Sequence, residues 1–108
     1  MTYKVIITEQ AKHQLDMYVG YTAEILRNKQ AAKAILLDAR ATKKRLSIVA
    51  EKLALCNNDV LRSLGYRRIM FKEHDFFMVY RLDGKVAIVE AMYHVLQDYE
   101  GTFIEKQN

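Results

Sequence analysis

Basic side chains and one histidine form the set of residues in this sequence best suited to chemistry. Arg67, Arg68, Lys72 and Arg81 interrupt an otherwise apolar stretch that ends at His94. A histidine titrates near neutral pH and can transfer protons, while arginine and lysine bind phosphate and stabilise developing negative charge. Metal-independent RNA cleavage needs such groups: a base for the 2′-hydroxyl, an acid for the leaving 5′-oxygen, and cations for the transition state.

Other kinds of chemistry have weaker support. His13, His74 and His94 are too dispersed for a metal cluster, so no metal or other cofactor is expected, and His74 is expected at the surface of a turn. Cys56 is the only cysteine, so an internal disulfide is not possible. No histidine or aspartate is arranged around it in the sequence as nucleophilic catalysis would require. Glu90 falls on a predicted central strand, where an inward salt bridge would explain a buried carboxylate.

Each candidate also has a purely structural interpretation. A histidine at the end of a strand, such as His94, is often only hydrogen-bonded to backbone, and Arg67 and Arg68 are equally typical of solvated surface charge. Because adjacent strand residues point to opposite faces, at most one of these two arginines is expected to reach a given groove. The possible ion-pair partners of Arg81 are Asp83, Glu90 and Asp98.

Length and charge limit the possible architectures. The 108 residues predict one domain, residues 1–108, with an open groove rather than a roomy internal site. With 17 Lys and Arg against 13 Asp and Glu, the net charge of +4 favours a polyanionic partner such as nucleic acid or an acidic protein segment. No signal-peptide pattern, membrane-length apolar run or cysteine pair is visible, so a cytoplasmic location without membrane contact is expected.

The first half of the chain predicts a strand and two helices. A β-branched run makes Tyr3–Ile7 a strand, and Thr8 then caps a helix that runs to about Arg27, with Asn28 as its stop. Charged residues such as Asp38 are expected mostly off the apolar face of the second helix. That face consists of Ile35, Ala39, Thr42, Leu46 and Val49.

The second half predicts three strands. After a loop at residues 56–59, the apolar period falls from about 3.6 to 2. The predicted strands are Leu64–Phe71, Phe76–Leu82 and Val86–Tyr93, joined by residues 72–75 and by a hairpin turn at Asp83-Gly84. The polar tail, residues 97–108, is expected to be a short helix or frayed.

These elements predict an α+β fold with the order β-α-α-β-β-β. The N-terminal helical hairpin packs on one face of a small, twisted, mostly antiparallel sheet, and the other face is at least partly open. Alternation places Arg68 opposite Arg67, and puts His94 on the same face as Glu90. Tyr93 and Tyr99 are the aromatic residues most expected outside the core, where they would stack on RNA bases.

The chain resembles the RelE/ParE superfamily of bacterial toxins. The resemblance covers nearly the whole chain and is carried by YKVIITEQAKHQLD, by LGYRRIMFKEHDFFMVYRLDGKVAIVEAMYH and by the closing HVLQDYE. It implies a toxin encoded with an antitoxin that wraps and neutralises it in a hetero-oligomer. One branch of the superfamily cleaves messenger RNA on the ribosome, and the ParE branch poisons DNA gyrase without cleaving RNA.

The resemblance assigns roles to the candidate residues. It implies catalytic roles for His94, Arg67 and Arg68, and Tyr99 is the nearest candidate for the aromatic residue that completes the site. The residues themselves add Arg81, Lys72 and Tyr93 as expected RNA contacts beside Tyr99. Two departures stand against a RelE-type site, since Phe77 and Leu96 occupy positions where RelE has arginines.

Two target classes therefore stay open. A ribosome-dependent messenger RNA endonuclease using His94 is the first expectation. A ParE-like inhibitor of DNA gyrase is the alternative, as is a degenerate toxin that only binds its antitoxin. In each case we expect an antitoxin segment, extended or helical, to lie across the basic groove or the helical hairpin.

Overall fold

A computed structural model describes residues 2–107, so Met1 and Asn108, the outermost residues of the predicted domain, lie outside the described part. The described residues form four strands and four α-helices. In order they are β1 (Lys4–Ile7), α1 (Glu9–Gly20), α2 (Lys29–Val49), α3 (Asp59–Ser63), β2 (Arg67–Met70), β3 (Phe76–Asp83), β4 (Val86–His94) and α4 (Tyr99–Gln107). The predicted α+β order is confirmed. Of the two alternatives expected for the tail, a short helix or frayed chain, the structure has the helix, α4, and it adds α3, which was not predicted.

The four strands form one sheet with the order β1-β4-β3-β2. Strands β2, β3 and β4 form the predicted antiparallel meander, and β1 pairs parallel to β4 at the opposite edge from β2. The β3–β4 hairpin is confirmed, but Asp83 pairs with Val86, so its two loop residues are Gly84 and Lys85. Gly84 has φ 60°, which suits the first loop position of a type II′ turn.

A β-bulge changes which side chains share a face of β4. Tyr80 pairs with Val89 but Val79 pairs with Ala91, so Glu90 is the extra residue. The predicted alternation is therefore wrong beyond the bulge: His94 shares a face with Val89, and Glu90 points to the other side.

One face of the sheet, here called the hairpin side, packs against α1 and α2. Its buried core includes Leu46 and Ala39 from α2, together with Met78, Tyr80 and Val89 from the sheet. Thr8 caps α1 as predicted, because its hydroxyl accepts a hydrogen bond from the Ala11 N–H at 3.2 Å. The helical hairpin therefore packs on one face of the sheet, as the sequence predicted.

The opposite face, here called the α4 side, is covered as well. Leu61 from α3 and Phe103 from α4 are fully buried against Tyr66, Phe77 and Tyr93. The expectation of a partly open second face is wrong, because the tail forms a helix that folds back over the sheet. Strand β2 is also shorter than predicted, because residues 64–66 connect α3 to it rather than extending it.

The tip of the helical hairpin has irregular backbone. A π-helical turn, Tyr21–Ile25, follows α1, and its Leu26 N–H donates to the Tyr21 carbonyl at 3.1 Å. Arg27 then has φ 52°, the left-handed region that non-glycine residues adopt at a cost of about 1 kcal/mol. Asn28, predicted as a helix stop, caps α2 by accepting the Ala31 N–H at 2.9 Å. Across residues 2–107, no helix is both long and apolar enough to cross a membrane.

Candidate functional site

His94 lies at the end of β4 on the hairpin side. Its ring meets the Phe76 ring edge-on, with centroids 5.2 Å apart, and Phe76 belongs to the hairpin-side core. The Nδ1 atom accepts a hydrogen bond from the Leu96 N–H at 3.1 Å. The structural interpretation of a strand-end histidine bonded to backbone therefore holds for Nδ1, and Nε2 is left for another partner.

Arg68 lies on the α4 side. Its guanidinium is 4.9 Å from the centre of the Phe77 ring and 5.4 Å from that of Tyr99, which is cation–π distance. Arg68 is exposed and borders a pocket of about 260 Å³ that also includes Asn57 and Cys56. Because Arg68 is exposed beside two aromatic rings and a pocket, it is the predicted cation best placed to contact an anionic partner.

These two positions separate two of the three predicted catalytic residues, His94 and Arg68. Phe76 and Phe77 are consecutive on β3, so their side chains point to opposite faces of the sheet. His94 contacts Phe76, whereas Arg68 contacts Phe77. The sheet therefore stands between the histidine and the exposed arginine, and the two do not converge on one phosphate.

Arg67 and Lys72 lie apart from both positions. The Arg67 guanidinium donates to the backbone carbonyls of Leu53 and Glu51, at 3.4 Å for the latter, so it ties β2 to the chain that follows α2. Lys72 is exposed in the turn after β2, and its backbone N–H donates to Asp38 at 3.1 Å. Arg67 pairs with Tyr80 of the hairpin-side core and Arg68 with Val79 of the α4-side core, so the two arginines lie on opposite faces of the sheet, as predicted.

Arg81 forms an ion pair with Glu90, one of its three predicted partners. Its Nε lies 2.7 Å from the Glu90 carboxylate, which also accepts the Tyr66 hydroxyl at 2.6 Å. Burial, together with the Glu90 hydrogen bond, raises the pKa of Tyr66 to about 12, so this hydroxyl stays protonated at neutral pH. The bulge at Glu90 directs the carboxylate toward both partners, which gives Arg81 a structural role.

Replacing Glu90 by alanine is expected to lower the free energy of unfolding by about 2 kcal/mol, because it leaves the buried Tyr66 hydroxyl and Arg81 without their shared acceptor. Urea denaturation measures the change. The double variant Glu90→Ala with Tyr66→Phe should lose less than the sum of its two single variants. Additive losses would show that the triad does not act as a unit.

The two predicted aromatic contacts differ in exposure. Tyr93 is 1% exposed and belongs to the α4-side core, so the expectation that it lies outside the core is wrong. Tyr99 is half-buried, and burial raises its pKa to about 12, with Cys56 adding to the effect. Cys56 is itself buried rather than in an exposed loop, and burial raises the pKa of its thiol. Neither group is poised to lose its proton at neutral pH.

An open apolar groove of about 760 Å³ lies on the hairpin side beside His94. Its wall on α1 and the π-helical turn carries Met17, Tyr21 and Leu26, which are 55–61% exposed although they are large and apolar. The complete lining is Met17, Tyr18, Tyr21, Thr22, Leu26, Ile35, Glu73, His74, Asp75, Phe76, His94 and Gln97. Exposed apolar surface of this kind is typical of a contact with another molecule.

One rim of this groove is held by a buried carboxylate that the sequence did not reveal. Asp38 on α2 is 5% exposed and accepts three hydrogen bonds from the β2–β3 turn. Its donors are the N–H of Lys72 at 3.1 Å, the N–H of Glu73 at 2.9 Å and Nδ1 of His74 at 2.7 Å. The expected position of Asp38 off the buried face of α2 is therefore wrong, whereas His74 lies partly exposed in the turn, as expected, and is bonded to Asp38.

The two residues that depart from the RelE pattern, Phe77 and Leu96, lie in different environments. Phe77 is buried on the α4 side beneath Arg68, and Leu96 is 87% exposed just after β4. Neither position supplies a cation to the pocket beside Arg68. Among residues 2–104, whose side chains the structure describes, no group of three or more His, Cys, Asp or Glu side chains has an arrangement that could hold a metal ion.

Comparison with known proteins identifies the fold. No family model matches the chain, and no match is found among curated proteins. A chain of the chromosomal ParDE TA system from P. aeruginosa is similar in structure, with TM-score 0.72 and 21% identity over 87% of this chain and 97% of that one. A chain of the toxin-antitoxin complex RelBE2 from Mycobacterium tuberculosis gives TM-score 0.56 and 14% identity, over 87% and 99%. The predicted RelE/ParE-like fold is confirmed.

Proposed function

We propose that the chain is the toxin of a toxin–antitoxin pair, and that it poisons its target by binding rather than by cutting RNA. The toxin assignment is supported by the similarity in fold to chains of two toxin–antitoxin systems. The mode of action is supported by one observation above the others: His94 and Arg68 lie on opposite faces of the sheet. A proton-transfer group and a phosphate clamp must meet at one phosphate to cleave it.

The three arginines of the sheet favour the same conclusion. Arg81 is paired with Glu90, and Arg67 is bonded to backbone carbonyls, so neither is free to stabilise a pentavalent phosphate. Arg68 remains exposed on its two aromatic rings, which suits an anionic or aromatic contact on a large partner. Because the chain resembles the ParE branch, DNA gyrase is the target to test first. The proposed site of action is the cytoplasm.

The competing function is the messenger RNA nuclease with His94 as its acid–base group. It would require RNA to reach His94 from the hairpin side, where the described groove is apolar and its charged lining residues are Glu73 and Asp75. Those carboxylates repel phosphate. An antitoxin is the expected partner in either case, because the groove leaves large apolar side chains exposed.

Brief expression of the wild-type chain is expected to arrest growth without new cuts within translated codons in primer extension. The purified protein is expected to inhibit supercoiling by gyrase. His94→Ala should still arrest growth, whereas Arg68→Ala should weaken the arrest. New codon-spaced cuts that disappear in His94→Ala would establish the nuclease instead, and growth without arrest would refute the toxin assignment.

A further inference from the structure

The net positive charge of the chain is concentrated on one helix. Helix α2 contains six lysine and arginine residues and a single acidic residue, Asp38, which is buried. Since the whole chain has 17 Lys and Arg against 13 Asp and Glu, the residues outside α2 have 11 against 12, a net charge of −1. The net charge of +4 is therefore due to α2 and not to the arginines of the sheet.

Five of these cations form a stripe on the solvent side of α2. With about 3.6 residues per turn, their side chains project within an arc of about 100° and over about 22 Å of the helix axis. Buried residues of the same helix, such as Ile35, Asp38 and Thr42, lie on the opposite side. The five exposed residues, here called the α2 stripe, are Lys29, Lys33, Arg40, Lys43 and Lys44.

The charge of the α2 stripe is not neutralised by the rest of the chain. None of its five side chains forms an ion pair or a hydrogen bond with any side chain of residues 2–104, which are those described. Lys29 and Lys33 are four residues apart, and Arg40 is three and four residues from Lys43 and Lys44. Like charges at these spacings repel each other and destabilise a helix slightly. A bound polyanion would offset that repulsion.

The composition of α2 favours duplex nucleic acid over other polyanions. The helix has no aromatic residue, and aromatic rings are what single strands stack on and what often anchors a protein interface. A membrane would need the apolar face of the helix, but that face, with Ile35 and Leu46, is buried against the sheet. The large apolar residues of α2 that remain exposed are Leu36, Leu37 and Ile48.

We propose that the α2 stripe binds the phosphate backbone of duplex DNA without reading its sequence. A helix about 10–12 Å in diameter that is exposed along its length fits the major groove of B-form DNA, which is about 12 Å wide. The major groove of A-form RNA is too narrow for this. The cations of the stripe then face the phosphates that border the groove and displace their counterions.

This surface is separate from the one proposed to contact the target protein. Helix α2 packs on the hairpin side of the sheet, whereas Arg68 lies on the α4 side. DNA and the target protein would therefore contact different surfaces of the chain.

The test is the fluorescence anisotropy of a labelled 20-base-pair DNA duplex titrated with the purified full chain. In 100 mM NaCl the dissociation constant is expected to be about 1–100 µM, and the logarithm of the affinity should fall against the logarithm of the salt concentration with a slope of about −4 to −5. The triple variant Lys33→Gln, Arg40→Gln, Lys44→Gln should lower the affinity at least about tenfold. It should also make the slope shallower by about 3, because three phosphate contacts are lost.

The matched control removes the same number of charges elsewhere on the surface. The triple variant Lys4→Gln, Lys12→Gln, Arg62→Gln also replaces two lysines and one arginine, at exposed positions of β1, α1 and α3. Its affinity for the duplex should stay within about threefold of wild type and its salt slope should be unchanged. Circular dichroism verifies that both variants are folded.

Four results would contradict this role of the α2 stripe. They are no change in anisotropy up to about 100 µM chain, equal losses in the two triple variants, tighter binding to an RNA duplex of the same sequence, and stripe-dependent binding to phosphatidylserine vesicles that exceeds binding to DNA. DNA binding is measured without gyrase and without growth arrest. A chain that arrests growth but does not bind DNA would therefore refute the role of the stripe and leave the proposed function standing.

Discussion

Replacing Asp38 by alanine is expected to lower the free energy of unfolding by about 3 kcal/mol. The side chain is 2% exposed and accepts hydrogen bonds from the N–H groups of Lys72 and Glu73 and from His74. Alanine would leave these donors unsatisfied beside a cavity, and each buried unpaired polar group costs about 1–3 kcal/mol. Urea denaturation at pH 7 measures the loss.

Two further variants separate this effect from a general loss of charge. Asp38→Asn keeps the size of the side chain and one acceptor oxygen, so its cost should be smaller than that of alanine. Asp16→Ala removes an exposed carboxylate from α1 and should change stability by less than about 0.5 kcal/mol. Equal stability of Asp38→Ala and Asp16→Ala would contradict the assigned role.

The same carboxylate predicts a pH dependence. Burial alone would raise the pKa of Asp38, but hydrogen bonds from His74 and from the N–H groups of Glu73 and Lys72 outweigh it, so the pKa lies below its ordinary value of 3.8. A group with a lowered folded-state pKa stabilises the protein above its unfolded pKa and loses that contribution as the pH falls through the folded value. The stability difference between wild type and Asp38→Asn should therefore shrink as the pH falls below about 4.

Asp38 also shows where sequence reasoning fails. Its three partners lie 34–36 residues away, across an interface between α2 and the β2–β3 turn. Helical periodicity describes one element at a time and assigns a charged residue at the edge of the apolar face to solvent. Only the tertiary arrangement supplies the donors that make its burial favourable.

Local signals were sufficient for the elements themselves. The Thr8 cap, the β-branched opening strand and the change of period after residue 59 predicted β1, α1 and the meander. The bulge at Glu90 has no such signal, because one inserted residue depends on pairing with β3. That single residue moves His94 to the hairpin side, opposite the face that carries Arg68.

On the α4 side, the pocket beside Arg68 depends on the position of helix α4. Tyr99 begins α4 and forms one of the two rings beneath Arg68, so the position of this helix determines the shape of the pocket there. The Arg68 guanidinium contacts the Tyr99 ring of this helix, and no ion pair of Arg68 occurs among residues 2–104, whose side chains the structure describes. A variant that releases α4 should therefore affect the surface around Arg68 while leaving the groove on the hairpin side unchanged.

Phe103→Ala is that variant, and it is expected to lower the free energy of unfolding by about 3–4 kcal/mol. Phe103 is fully buried, and its ring meets the Tyr66 ring edge-on with centroids 4.9 Å apart. Amide hydrogen exchange should show loss of protection in α4, while the amides of α1 and α2 stay protected. Thr102→Ala, at an exposed position of the same helix, is the control and should leave the free energy of unfolding and the amide protection of α4 unchanged. A loss below about 1 kcal/mol, or equal exchange in α4 and α2, would show that α4 does not depend on Phe103.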